Sequence, residues 1–192
     1  MPDPPRRPIL LRPLLILAVY LPVLGVGVLW STLAGSLGGW LGPPGGWAAD
    51  ALLGLGCGLM VVAGSAALVA YSTAYRRLAD VMAGFIGPAG WPAVVLAAVA
   101  SGVAEECLFR GAVQPSLGLV LASVLFAACH FVPDRRFAPW TVFALAAGFG
   151  LGALFLWRGS LVAPVVAHFT INLINLRMLS RRAARRAAGS GR

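Results

Sequence analysis

The chain has 192 residues, 59% of them hydrophobic and 11% charged, with a net charge of +9 and a mean hydropathy of +0.87. This composition excludes a water-soluble domain and describes an all-α, polytopic membrane protein forming one integral membrane domain over residues 1–192. Every basic residue is an arginine and no nucleic-acid-reading motif accompanies them, so the charge reports membrane topology and not nucleic-acid binding.

A spanning helix needs about 20 apolar residues, and six stretches qualify in chain order. The first, Ile9 to Trp30, contains Pro13 and Pro22, which predicts an irregular or kinked start. It is too long for a signal peptide and lacks a small-residue cleavage site. A Gly/Pro-rich loop, Gly35 to Gly46, leads to the second span, Ala48 to Tyr71. After the connection holding Arg76 and Arg77, and a break over Phe85 to Gly90, come Trp91 to Val113 and a short fourth span, Leu117 to Val132. Ala138 to Trp157 and Leu161 to Leu179 complete the set, and no internal repeat is visible. All six tryptophans (Trp30, Trp40, Trp47, Trp91, Trp140, Trp157) fall at span ends or in a loop, as an interfacial belt requires. Cys57, Cys107 and Cys129 form neither a redox pair nor a metal-ligand spacing and read as small buried hydrophobes.

Alternating the spans puts thirteen arginines on one side and leaves only Arg110 and Arg158 off it. The positive-inside rule makes that side cytoplasmic, with both termini there, and the end of the chain, 181–192, a cytoplasmic polybasic tail lying on anionic headgroups.

Against this background Glu105, Glu106 and Arg110 stand out, because charge at bilayer depth costs several kcal/mol and marks function by default. The two histidines, His130 and His168, also fall in apolar stretches, and Asn172 follows His168 by one helical turn. With the third and fourth spans meeting near Gln114 to Ser116, a rise of about 1.5 Å per residue puts Glu105 roughly 14 Å and His130 roughly 21 Å from one membrane face. His168 and Asn172 come out at roughly 13 and 20 Å from that same face, the extracytoplasmic one. Three helices thus bring polar groups to one slab, where a shared hydrated cavity is their tolerable setting. Glu106 and Arg110 are i and i+4, a pairing distance, while Glu105 is turned about 100° away and is free to point elsewhere. Two carboxylates this close resist double ionisation, which suits one of them to act as a general base.

The run E-E-x-x-x-R from Glu105 to Arg110, then F-x-x-x-H from Phe126 to His130, then H-x-x-x-N from His168 to Asn172, resembles the three ordered motifs of the CPBP intramembrane proteases, the CAAX-protease and bacteriocin-processing family. The likeness covers a motif-bearing core over residues 91–176. It implies a glutamic intramembrane endopeptidase in which Glu105 activates water, His130 shares that water's proton, Glu106 and Arg110 position the helix, and His168 and Asn172 donate to the oxyanion. It implies no cofactor, a membrane-anchored protein or peptide as substrate, and a bacterial cytoplasmic membrane as location. With the cavity expected nearer the extracytoplasmic face, the chain is more similar to sorting-type members, including the myxosortases, than to prenyl-protein proteases of the cytosol. Two departures from the family pattern are the tight gap before F-x-x-x-H and Cys107 where a larger apolar residue is expected.

Other readings stay open. Glu106 with Arg110 could be a buried structural pair; the histidines, Phe126 and Asn172 could serve packing alone; Asn175 reads as interhelical glue. A thiol mechanism is disfavoured because Cys129 and His130 diverge on a helix. Glu105, Glu106, His130 and His168 are possible metal ligands by type, without the H-E-x-x-H helix of zinc proteases. A prenyl-protein endopeptidase, a non-catalytic immunity or scaffold protein and a proton-relay transporter are the rival functions.

Overall fold

A chain this apolar satisfies its backbone in lipid by bonding along its own helices. The computed structural model describes residues 12–43 and 45–189, so the expected span start at Ile9 and the arginines Arg6, Arg7 and Arg192 lie outside the described residues. It is an all-α bundle: α1 (Pro13–Leu33), α2 (Trp47–Tyr71), α3 (Thr73–Ile86), α4 (Trp91–Leu108), α5 (Gln114–Cys129), α6 (Ala138–Arg158) and α7 (Val162–Gly189), with no strand among the described residues. Proline occupies one of the first two positions of α1, α4 and α6, where its missing N–H removes no intrahelical bond. The helix α1 runs unbroken through Pro22. Gly159, left-handed at φ 61°, ends α6.

Among the described residues five helical stretches are long and apolar enough to cross a membrane by length and composition: Pro13–Leu33, Trp47–Tyr71, Trp91–Cys129, Arg135–Arg158 and Val162–Gly189. The third takes in both the third and fourth expected spans. Their junction is corrected from Gln114–Ser116 to Gly118, whose φ of 82° and ψ of 166° belong to a region that is essentially glycine's alone. Beyond it the chain folds back. The Phe126 and Phe109 rings lie 5.1 Å apart, whereas seventeen residues of straight helix would separate them by about 25 Å.

Two features exceed the expected plan. The connection holding Arg76 and Arg77 is itself helical: α3 buries Leu78, Ala79, Ala83 and Ile86 on one face, and at about 21 Å it is too short to cross the hydrocarbon. The described part of the expected tail continues α7 to Gly189, with Arg182 Nε 2.7 Å and Arg186 Nη1 3.0 Å from Asp80 Oδ1 on α3. Small residues let the helices close. A Cβ on Gly58 of α2 would lie 2.8 Å from Thr170 of α7, and one on Gly148 of α6 would lie 3.1 Å from Ser123 of α5. Of the cysteines only Cys107 is buried; Cys57 is half-buried and Cys129 exposed, because an apolar sequence context reports lipid as readily as protein interior.

Candidate active site

Four of the five described acidic residues face an arginine. Asp50 Oδ1 is 2.5 Å from Arg158 Nε, Asp134 Oδ2 is 2.6 Å from Arg136 Nη2, Asp80 holds Arg182 and Arg186, and Glu106 Oε1 is 3.2 Å from Arg110 Nη1. Glu105 is the exception. Its Oε2 is buried with no hydrogen bond, 3.7 Å from His130 Nε2 and 4.0 Å from His168 Nε2. The two glutamates diverge because neighbours on a helix point about 100° apart.

The backbone that aims them is unusual. Directly after α4 the helix widens into a π turn, Phe109–Val113, a distortion that frequents functional sites. Pro115 explains it in part, since it has no N–H for the Gly111 carbonyl four residues earlier and its ring crowds that oxygen. The Gly111 carbonyl instead accepts from Ser31 Oγ at 2.9 Å, Ser36 Oγ at 2.7 Å and Trp40 Nε1 at 3.3 Å. Arg110, within the turn, is 1% exposed; it donates to Glu106 and to the Gly148 carbonyl at 3.1 Å and lies 4.7 Å over the Phe126 ring. A guanidinium can be buried at this depth only when so surrounded.

Hydrogen bonding fixes how the imidazoles present their protons. His130 Nδ1 lies 2.7 Å from the Phe126 carbonyl, which can only accept, so Nδ1 carries the hydrogen and Nε2 faces Glu105. The Phe126 ring packs 4.5 Å from that of His130 and 6.0 Å from that of His168, so one aromatic holds both imidazoles and the guanidinium. His168 Nδ1 is 2.7 Å from Glu106 Oε1; with the carboxylate also paired to Arg110, Nδ1 is the donor and Nε2 is turned toward Glu105. Asn172 Nδ2 donates to Ser101 Oγ at 2.8 Å, which leaves its second N–H unspent. Asn175 Oδ1 accepts from Ser65 Oγ of α2 at 3.3 Å.

All six motif residues from the sequence thus come together, with Phe126 at their centre. The sequence missed Ser101 and Tyr20, both lining the same cavity of about 460 Å³ as Glu105, His130, His168 and Asn172. The cavity also corrects the depth expectation. Its walls include Leu15 and Val19 near the start of α1, Met82 of α3, Trp140 in the first turn of α6 and Leu176 of α7, all toward the arginine-bearing connections. His130 caps α5 just before the loop of Arg135 and Arg136, so the cavity extends from Leu151 within α6 toward that end. Among the described residues no group of three or more His, Cys, Asp or Glu side chains is arranged to hold a metal ion.

Residues 87–174, which contain all three motifs, match the family described as Rce1-like, type II CAAX prenyl endopeptidase. The motif-bearing segment thus resembles that family, over less than half of the chain. The chain is also 39% identical over 85 residues to the uncharacterized protein YpbD of Bacillus subtilis (strain 168), a similarity covering 43% of each chain. It therefore spans less than half the length of that relative. No solved structure matches the chain. The Rce1-like segment supplies both glutamates, both histidines, Arg110, Phe126, Ser101 and Asn172; Tyr20 and the donors to Gly111 come from outside it.

Proposed function

We propose that this integral membrane protein is a glutamic intramembrane endopeptidase. The observation that carries the reading is Glu105 Oε2, a buried carboxylate oxygen facing two imidazole nitrogens instead of an arginine. Carboxylate and His130 Nε2 are both acceptors, so a water beside the 3.7 Å gap donates one proton to each at about 2.8 Å and keeps a lone pair for attack. Glu105 takes the proton as that oxygen adds to the scissile carbonyl, and returns it to the departing amine as the C–N bond breaks. With His168 protonated, its charge and that of Arg110 offset the two glutamates, and its Nε2–H donates to the oxyanion together with the second amide proton of Asn172. Glu106 holds His168 in that orientation through Nδ1.

The cavity walls support a substrate entering from the arginine-bearing end, which is the cytoplasmic side under the positive-inside rule, probed as a membrane-anchored protein in a bacterial cytoplasmic membrane. A prenylated substrate is the second reading. It is favoured by the family's description and by an adjoining cavity of about 420 Å³ that shares the apolar Met82, Phe143 and Leu176 with the first. The test replaces Glu105 by Gln in cells and maps new protein termini by mass spectrometry. Cleavage products should vanish at unchanged protein level, a loss of at least about 10²-fold; products that persist would falsify the assignment. Farnesylated and unmodified versions of a mapped peptide then separate the two substrate classes.

A further inference from the structure

We infer that Tyr20 is a positioning residue: its hydroxyl, delivered by α1, donates a hydrogen bond to the Glu105 carboxylate and holds it toward the imidazoles. The catalytic consequence rests on the peptidase reading; the contact itself does not.

The placement follows from the helix. Buried or half-buried positions of α1 fall at Leu15, Ile16, Tyr20, Val23, Leu24, Gly27, Trp30 and Ser31, a single face at helical spacing. That face is tightly docked on α4 and the π turn. A Cβ on Gly27 would lie 2.9 Å from the Leu108 backbone nitrogen, and Ser31 bonds the Gly111 carbonyl. With two turns of one rigid helix between Tyr20 and Gly27, this docking turns the ring inward, where it lines the cavity and its hydroxyl stands beside Glu105 and Ser101. Tyr20 is the one polar side chain of α1 before Trp30. A phenol in that setting needs a partner, and an ionised carboxylate can only accept, so the hydroxyl proton goes to Glu105. Ser101 in turn accepts from Asn172, so α1, α4 and α7 meet through three consecutive polar side chains at the reacting end of the cavity.

The experiment compares Tyr20→Phe with the unaltered full chain in detergent and in proteoliposomes. Infrared difference spectra assign the Glu105 carboxylate band as the one that Glu105→Gln removes. That band should shift in Tyr20→Phe, and an unmoved band overturns the proposal whether or not the protein cleaves peptides. With a fluorogenic copy of a mapped substrate, Tyr20→Phe should lower kcat by about 10- to 100-fold, the range for a hydrogen bond to a charged group, while KM stays within about twofold. Unchanged kcat, or a rise in KM alone, overturns it. Asp50→Asn, which breaks the pair with Arg158 outside the cavity lining, separates a structural effect: it should lower the melting temperature and leave kcat intact, and an equal kcat loss there means that Tyr20 merely packs.

Discussion

Arg110 and Glu106 are the largest fully buried side chains, and their cost in isolation is the strongest statement the molecule makes at the residue scale. Replacing Arg110 by Met leaves Glu106 without its cation and should destabilise the protein by about 3–5 kcal/mol, read as a fall in melting temperature in detergent. Adding Glu106→Leu should recover most of that stability, because a buried pair is replaceable by apolar side chains, yet peptide hydrolysis should stay lost since His168 then lacks its Nδ1 acceptor. Recovery of activity in the double variant would contradict the role given to Glu106. The i, i+4 pairing of Glu106 with Arg110 was readable from spacing, and so was the divergence of Glu105. The third partner, His168, was not, because contacts between helices depend on how each helix is rotated about its axis. Tyr20 left no spacing signal for the same reason, and Phe126 read as packing because its value lies in touching three polar groups that only the fold brings to it.

Among the elements, the α4–α5 hairpin shows how polar residues mislead. Gln114, Pro115 and Ser116 read as a loop, yet Gln114 Nε2 bonds the Gly152 carbonyl at 2.9 Å and Ser116 Oγ bonds the Ala112 carbonyl at 2.9 Å, so the helix passes through them. The reversal waits for Gly118, where the backbone leaves the range of other residues. Gly118→Ala should therefore cost about 1–3 kcal/mol although open space surrounds the site. Gly84→Ala, in the last turn of α3 and equally open, should stabilise by at most about 0.5–1 kcal/mol through helix propensity. Opposite shifts in the thermal midpoints of the two variants would separate backbone strain from packing. The extra helix α3 was legible in principle from Leu78, Ala79, Ala83 and Ile86, but a half-length amphipathic helix is hidden beside spans defined by continuous hydrophobicity.

For the molecule as a whole, ion pairs tie the bundle at its two ends: Asp50 with Arg158 at one, Asp80 with Arg182 and Arg186 at the other. The hydrogen bond from Arg182, with the charges of Arg182 and Arg186, holds the Asp80 carboxyl below its ordinary value of 3.8. A carboxyl depressed in the folded state stabilises fully above that value and ceases to do so as pH falls through the folded one. At pH 7, Asp80→Asn should accordingly lower amide hydrogen-exchange protection over residues 181–189, whereas the unaltered chain should lose the same protection, relative to intrinsic exchange at each pH, only below about pH 4. Exchange unchanged by the substitution would show that α7 persists without α3.

One carbonyl carries a consequence for how the chain is assembled. Because a proline withholds its proton from Gly111, that oxygen recruits two hydroxyls and an indole from the first forty residues. The recognisable motif-bearing segment is thereby stitched to a leading helix and the turn after it, which its own motifs never mention. Grafting the segment alone into another protein should yield an idle core, and supplying the missing helix as a separate peptide should bring it back to work.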